Sequence, residues 1–102
     1  MRAKQQNIDL SKSEIAAFCN RNHIQRLSLF GSVLRSDFDD ASDIDVLVEF
    51  AEGHVPGFIR LAAMERELTK ILGRRADLRT PQDLSKYFRD KVLATASIQY
   101  AR

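Results

Sequence analysis

Cysteine occurs once in this 102-residue chain, histidine twice and tryptophan not at all. A lone Cys19 excludes an internal disulfide framework and fits a reducing, cytoplasmic compartment. It shares a helical apolar pattern with Ile15 and Phe18, so it reads as a buried structural thiol. His23 closes a helix and His54 sits in a Gly/Pro loop. Neither has a second His or a Cys nearby in sequence, so neither makes a metal motif. No apolar run approaches the roughly 18 residues of a membrane span, and Met1-Arg2-Ala3-Lys4 is not followed by a signal-peptide core. No membrane partner is expected. Repeats, low-complexity tracts and linkers are also missing, which leaves one domain over residues 1–102 with 1–10 partly frayed. Scattered basic residues and the lack of an aromatic–basic stripe argue against nucleic-acid binding.

Positive charge is missing where negative charge is dense. Residues 37 to 52 hold Asp37, Asp39, Asp40, Asp43, Asp45, Glu49 and Glu52 and no Lys or Arg, for a charge of −7. Residues 1 to 36 carry +4 and residues 53 to 102 carry +5, leaving the whole chain at +2. Such local repulsion is costly unless a cation or basic neighbours offset it. Asp37, Asp39, Asp40 and Glu52 read as a solvated acidic loop. Asp43 and Asp45 do not, because they fall within a hydrophobic strand.

The patterning predicts an α-β-α-β-α-β-α order. Ser11 with Glu14 three positions on is a capping-box pattern opening a helix to about Asn20. Gln25 to Phe30 has strand character, Gly31-Ser32 ends it, and a short helix over about Val33 to Ser36 follows. Asp43 to Phe50 is the clearest strand, with Ile44, Val46, Val48 and Phe50 on one face and Asp43, Asp45, Leu47 and Glu49 on the other. Gly53 and Pro56-Gly57 break the chain. Phe58 to Leu72 is an amphipathic helix through Leu61, Met64, Leu68, Ile71 and Leu72, stopped by Gly73. Arg75 to Arg79 is a short strand, Pro81 a turn, and Leu84 to Tyr100 a final helix. The fold class is α/β, a small mixed sheet with helices packed on it. Phe18, Phe30, Phe50, Phe58 and Phe88 are expected in the core. The final helix has apolar residues on several faces (Val92, Leu93, Ala96, Ile98, Tyr100), which suits either packing or a partner surface.

Alternate residues on a strand lie about 6.6 to 6.8 Å apart on one side. Asp43 and Asp45 can therefore reach a common pair of cations. Two Mg²⁺ ions about 3.5 to 4 Å apart can clamp an in-line phosphoryl displacement, and magnesium needs only one or two carboxylates besides phosphates and water. An Asp-x-Asp by itself is common on surface strands. Asp77, an isolated acid between Ala76 and Leu78, adds weight: beside the Asp43–Asp45 strand it would bring three carboxylates to one site and bind the metal or accept a proton. Its alternative role is an ion pair with Arg75 or Arg79. Gly31 allows close backbone approach to a phosphate, and Ser32 adds an N–H and a hydroxyl at a helix start. Arg35 can meet triphosphate oxygens or pair with Asp37 or Asp39.

Together these residues resemble the minimal nucleotidyltransferase family of the DNA polymerase β superfamily: Gly-Ser, ten residues, Asp-x-Asp, then a third Asp on a later strand. Here that reads Gly31-Ser32, residues 33 to 42, Asp43-Ile44-Asp45, and Asp77 in Arg75-Ala76-Asp77-Leu78. Leu29-Phe30 before the Gly-Ser and Ser42 before the first Asp fit as well. Arg35-Ser36 stands where members often have Arg-Gly. The resemblance spans about residues 11 to 100 and implies a polymerase β palm-like fold. It implies that Gly31 and Ser32 hold the β/γ-phosphates and that Asp43, Asp45 and Asp77 hold two Mg²⁺ ions.

Many small members of that family are antitoxins. The resemblance therefore implies transfer of AMP from ATP to a tyrosine of a HEPN-family toxin encoded by an adjacent gene, in a hetero-oligomer. One alternative is an antitoxin acting by occlusion with a silent nucleotide site. Another is a subunit of a small-molecule nucleotidyltransferase.

Overall fold

The computed structural model describes residues 11–34 and 43–102, with Ser32 through its backbone alone. Helix α1 spans Lys12–Arg21, and the Ser11 side chain accepts from the Glu14 N–H at its start. One face of α1 is apolar, and Ile15, Phe18 and Cys19 are buried there. Strand β1 (Ile24–Phe30) runs into a short 3₁₀ turn at Gly31–Leu34. Strand β2 covers Ile44–Phe50, helix α2 Phe58–Leu72 and strand β3 Ala76–Arg79. A 3₁₀ turn at Pro81–Asp83 leads to helix α3 (Lys86–Thr95), and strand β4 (Ser97–Ala101) closes the chain.

The strands form one sheet in the order β3-β2-β1-β4. β1 pairs antiparallel with β2 and with β4, while β2 and β3 run parallel. Parallel neighbours need a long crossover, and α2 supplies it. The sheet is therefore mixed, as the patterning implied.

The β2 alternation is real but both of its faces are apolar in part. Ile44, Val46 and Val48 join Leu27 and Leu29 of β1, Phe18 of α1 and Leu68 of α2 in the main core. Leu47, on the opposite face, packs with Phe30, Leu84 and Val92 beneath α3. That second, smaller core seats α3 on the same face of the sheet as Asp45. Arg89 adds polar stitching there, with Nε donating to the Pro81 carbonyl at 2.7 Å and Nη2 to the Leu84 carbonyl at 3.1 Å.

Several expectations fail, including Asp43 as the first residue of the strand, which begins at Ile44. The predicted helix over Leu84–Tyr100 stops at Thr95, and the last residues form β4. Ala96 turns extended at ψ 146°, and Tyr100 then pairs with Leu27 and lies against the main core. Without β4, the outer edge of β1 would be left unpaired. The apolar residues on several faces of the supposed helix thus belong to two elements. Phe58 is also no core residue, being 90% exposed at the start of α2, and Phe88 is 48% exposed on α3. His23 and His54, far apart in sequence, stack with ring centroids 4.0 Å apart.

Helix α2 matches its predicted limits, with Met64 and Leu68 buried and Gly73 ending it in the left-handed region at φ 72°. Among the described residues, no helix is long and apolar enough to cross a membrane.

Candidate active site

Two short strands and one turn position the predicted site residues. β2 and β3 run in parallel register with Asp45 opposite Asp77, Ile44 opposite Ala76 and Leu47 opposite Arg79. Neighbouring strands lie about 4.8 Å apart, so Asp45 and Asp77 project side by side from one face. On the other flank of β2, Asp45 is the register partner of Phe30, the last residue of β1. The chain then turns at Gly31, whose φ is 75°. A Cβ added to Gly31 would overlap Asp45 Oδ2 and stand 3.2 Å from its Cγ. Asp45 is thus framed by the turn on one side and Asp77 on the other.

Asp43 precedes the first residue of β2 and is exposed. The parallel ladder begins beside it, where the Ile44 N–H donates to the Arg75 carbonyl at 2.8 Å. The backbone of Ser32 lies in the 3₁₀ turn after Gly31. Arg35, with Ser36 and the acidic residues 37 to 40, falls outside the described residues, as do residues 1–10.

Asp77 is engaged by Arg79. The Arg79 Nη2 donates to Asp77 Oδ2 at 3.2 Å, and Nε lies 3.2 Å from Oδ1. The hydrogen bond and charge of Asp77 push the Arg79 guanidinium further toward its protonated form; burial opposes this, and Asp83 and Asp45 add lesser support. Of the two partners anticipated for Asp77, Arg79 is thus the one it meets. Three acidic, His or Cys side chains do not stand together as a metal cage among the described residues. Asp45 and Asp77 nevertheless supply the all-oxygen donor set that magnesium prefers, and one or two protein carboxylates suffice when phosphate and water complete the shell.

Helix α2 holds β3 in place through residues that the sequence reading passed over. β3 is an edge strand, and unpaired edge N–H groups need partners. Glu65 Oε2 accepts from the Leu78 N–H at 2.8 Å, and Thr69 Oγ1 accepts from the Ala76 N–H at 3.0 Å. These contacts flank Asp77 on both sides. The signal was present as Glu65 and Thr69 at i, i+4 beside the apolar stripe of α2, but their target was not.

Beside Gly31 the same face opens into a cavity of about 550 Å³ lined by Phe30, Gly31, Leu34, Phe88, Lys91 and Val92 among others.

A nucleotidyltransferase domain model matches residues 12–98. The chain belongs to the nucleotidyltransferase family. A Methanocaldococcus jannaschii protein, provisionally named protein adenylyltransferase MJ0435, is 33% identical over 90 residues, covering 88% of this chain and 95% of its own. A solved structure provisionally described as a minimal nucleotidyltransferase superimposes with a TM-score of 0.69 at 32% identity, over 83% of this chain and 85% of that one. Two solved toxin–antitoxin structures share the fold. One, described with AMP-PNP, has a TM-score of 0.73 at 22% identity, over 91% of this chain and 75% of its own. The other is described as a tri-AMPylated Shewanella oneidensis HEPN toxin with its MNT antitoxin, with a TM-score of 0.65 at 22% identity over 89% and 70%. The nucleotidyltransferase fold that the family resemblance implied is the fold observed.

Proposed function

We propose that this nucleotidyltransferase transfers AMP from ATP to a tyrosine hydroxyl of a HEPN-family toxin encoded beside it, and acts as the antitoxin of that pair. The observation that carries the reading is the in-register pairing of Asp45 with Asp77, next to the turn at Gly31. The protein adenylyltransferase name of the M. jannaschii relative supports protein as the acceptor. The AMP-PNP and AMPylated-toxin descriptions of the two toxin–antitoxin structures support ATP and a HEPN partner.

In this reading Asp43, Asp45 and Asp77 hold two Mg²⁺ ions, and Gly31, Ser32 and Arg35 hold the nucleotide. Bound magnesium would activate the attacking oxygen and stabilise the leaving pyrophosphate. The chain's own residues orient and contain that chemistry. Gly31, lacking a side chain, lets the β/γ-phosphates approach backbone N–H groups while leaving the Asp45 carboxylate in place. Asp77, on the edge strand β3, would accept the hydroxyl proton or direct it to water. The attacking tyrosine oxygen forms the new bond to the α-phosphorus as the α–β bridging bond breaks, and pyrophosphate leaves.

ATP labelled at the α-phosphate, Mg²⁺, this protein and the neighbouring gene product test the proposal. Label on the partner that disappears with Asp43→Ala and Asp45→Ala is the expected result. A stable complex with no label would overturn transfer in favour of neutralisation by occlusion. Label on a small molecule alone would assign the chain to small-molecule modification.

A further inference from the structure

Asp45 and Asp77 carry like charges on directly paired residues, an arrangement that is destabilising unless a cation lies close. The chain supplies one. Arg79 stands two residues beyond Asp77, on the same face of β3, and its fork meets both oxygens of that carboxylate. A two-point guanidinium–carboxylate contact fixes the orientation of the carboxylate as well as neutralising it. The charges of Asp83, from the turn after β3, and of Asp45 add to the pull on the same guanidinium. Arg79 therefore lies where the negative potential of the site is concentrated, on the two oxygens that a metal ion would need.

We propose that Arg79 is a positioning residue that serves as the built-in counter-cation of Asp77 and competes with a divalent cation for its carboxylate. This rests on the reading of Asp45 and Asp77 as metal ligands. Arg79 holds Asp77 in the absence of metal, keeping the two paired carboxylates compatible with a folded β2–β3 ladder. Each Asp77 oxygen keeps a second lone pair, but the positive charge of the guanidinium beside it opposes a divalent cation on the same carboxylate. Phosphate oxygens add ligands that a metal ion alone lacks, so a metal–nucleotide complex displaces the guanidinium more readily than the metal alone. Arg79 thus couples occupation of the metal site to arrival of the nucleotide. With the pair half-exposed (side chains 48% and 34%), solvent screens the contact, so the barrier it raises is modest.

Binding of Mn²⁺, followed by its electron paramagnetic resonance signal, tests this without reference to transfer activity. Full-length protein carrying Arg79→Ala or Arg79→Gln is expected to bind Mn²⁺ in the absence of nucleotide about two- to fivefold more tightly, the scale of a half-exposed ion pair. The gain should shrink when AMP-PNP is present, and Arg79→Lys, which keeps charge but not the fork, should fall between. In an Asp77→Asn background the difference between Arg79 and Ala should vanish, which separates direct competition from a general change of charge. Mn²⁺ affinity that is unchanged or weaker in both Arg79 variants overturns the proposal, as does a gain that persists with Asn at position 77. If Asp45→Asn also leaves Mn²⁺ binding untouched, the metal-site reading itself falls. Binding that needs Asp45 but ignores Arg79 sinks the competition alone.

Discussion

Gly31 and Asp45 are in such close contact that no side chain fits between them: a Cβ at position 31 would overlap Asp45 Oδ2. Backbone conformation and space demand glycine together, since φ is 75° as well. Gly31→Ala should therefore push the Asp45 carboxylate aside and strain the turn, at a cost of about 1–2 kcal/mol. Displacement of a reacting group by about 1 Å can cost roughly a hundredfold in rate. Urea unfolding and AMP transfer, measured on one preparation, should show a small loss of stability beside a large loss of activity. Equal, minor losses in both would show that the contact does not set the carboxylate position.

Glu65 and Thr69 make a second prediction. Their side chains accept the Leu78 and Ala76 N–H groups on the open edge of β3. Glu65→Ala leaves the Leu78 N–H without its partner, which should cost about 1–2 kcal/mol. Amide hydrogen exchange at Leu78 should quicken more than at Leu29 in the middle of the sheet. Uniform acceleration across the sheet would mean that Glu65 supports the whole fold and not this edge.

The small core under α3 turns on Leu47, which is 1% exposed and packed with Phe30, Leu84 and Val92. Leu47→Ala should destabilise by about 2–5 kcal/mol. Because Leu47 follows Asp45 by two residues on the same face, loosening of α3 should also enlarge the space beside Gly31. Exchange protection along Lys86–Thr95 should fall first. If α1 loosens equally, the two cores are one cooperative unit.

Burial pushes the Cys19 thiol up to about 12 from 9.0. The folded chain keeps that proton between pH 9 and 12 while the unfolded chain releases it, so Cys19 lowers stability as pH rises through that window. The slope should approach 1.4 kcal/mol per pH unit and vanish below pH 9. Cys19→Ala should be less stable at pH 7, because it leaves a cavity, yet lose less stability between pH 9 and 11 than the parent chain. Identical alkaline slopes in the two proteins would contradict a buried, neutral thiol.

Much of this architecture was legible in the residues. Helix α2 was bounded by Pro56-Gly57 and Gly73, and its limits follow from local signals: an apolar stripe at three-to-four spacing and a left-handed stop. The Ser11 cap of α1 and the alternation along β2 are likewise properties of short segments. The end of the chain misled because its apolar residues, Val92 and Tyr100 among them, were placed on several faces of one helix. In the folded chain they go to opposite faces of the sheet, Val92 on the inner side of α3 and Tyr100 against the main core. Phe58 misled for the reverse reason, since hydrophobicity alone does not say that a helix start projects past the core.

By itself, the order of residues determined the cap of α1, the limits of α2, the acidic strand and the Gly-Ser-to-Asp-x-Asp spacing, because each depends on neighbours within a few positions. Tertiary structure decided that Asp45 stands beside Asp77, that Gly31 presses on Asp45 and that Arg79 takes Asp77 in preference to Arg75. Those relationships join residues separated by 14 or 32 positions, or choose between Arg75, which lies before β3, and Arg79, which lies within it. They arise only when α2 crosses over to lay β3 parallel to β2, and a strand's register is fixed by how its apolar pattern meets the face that becomes buried.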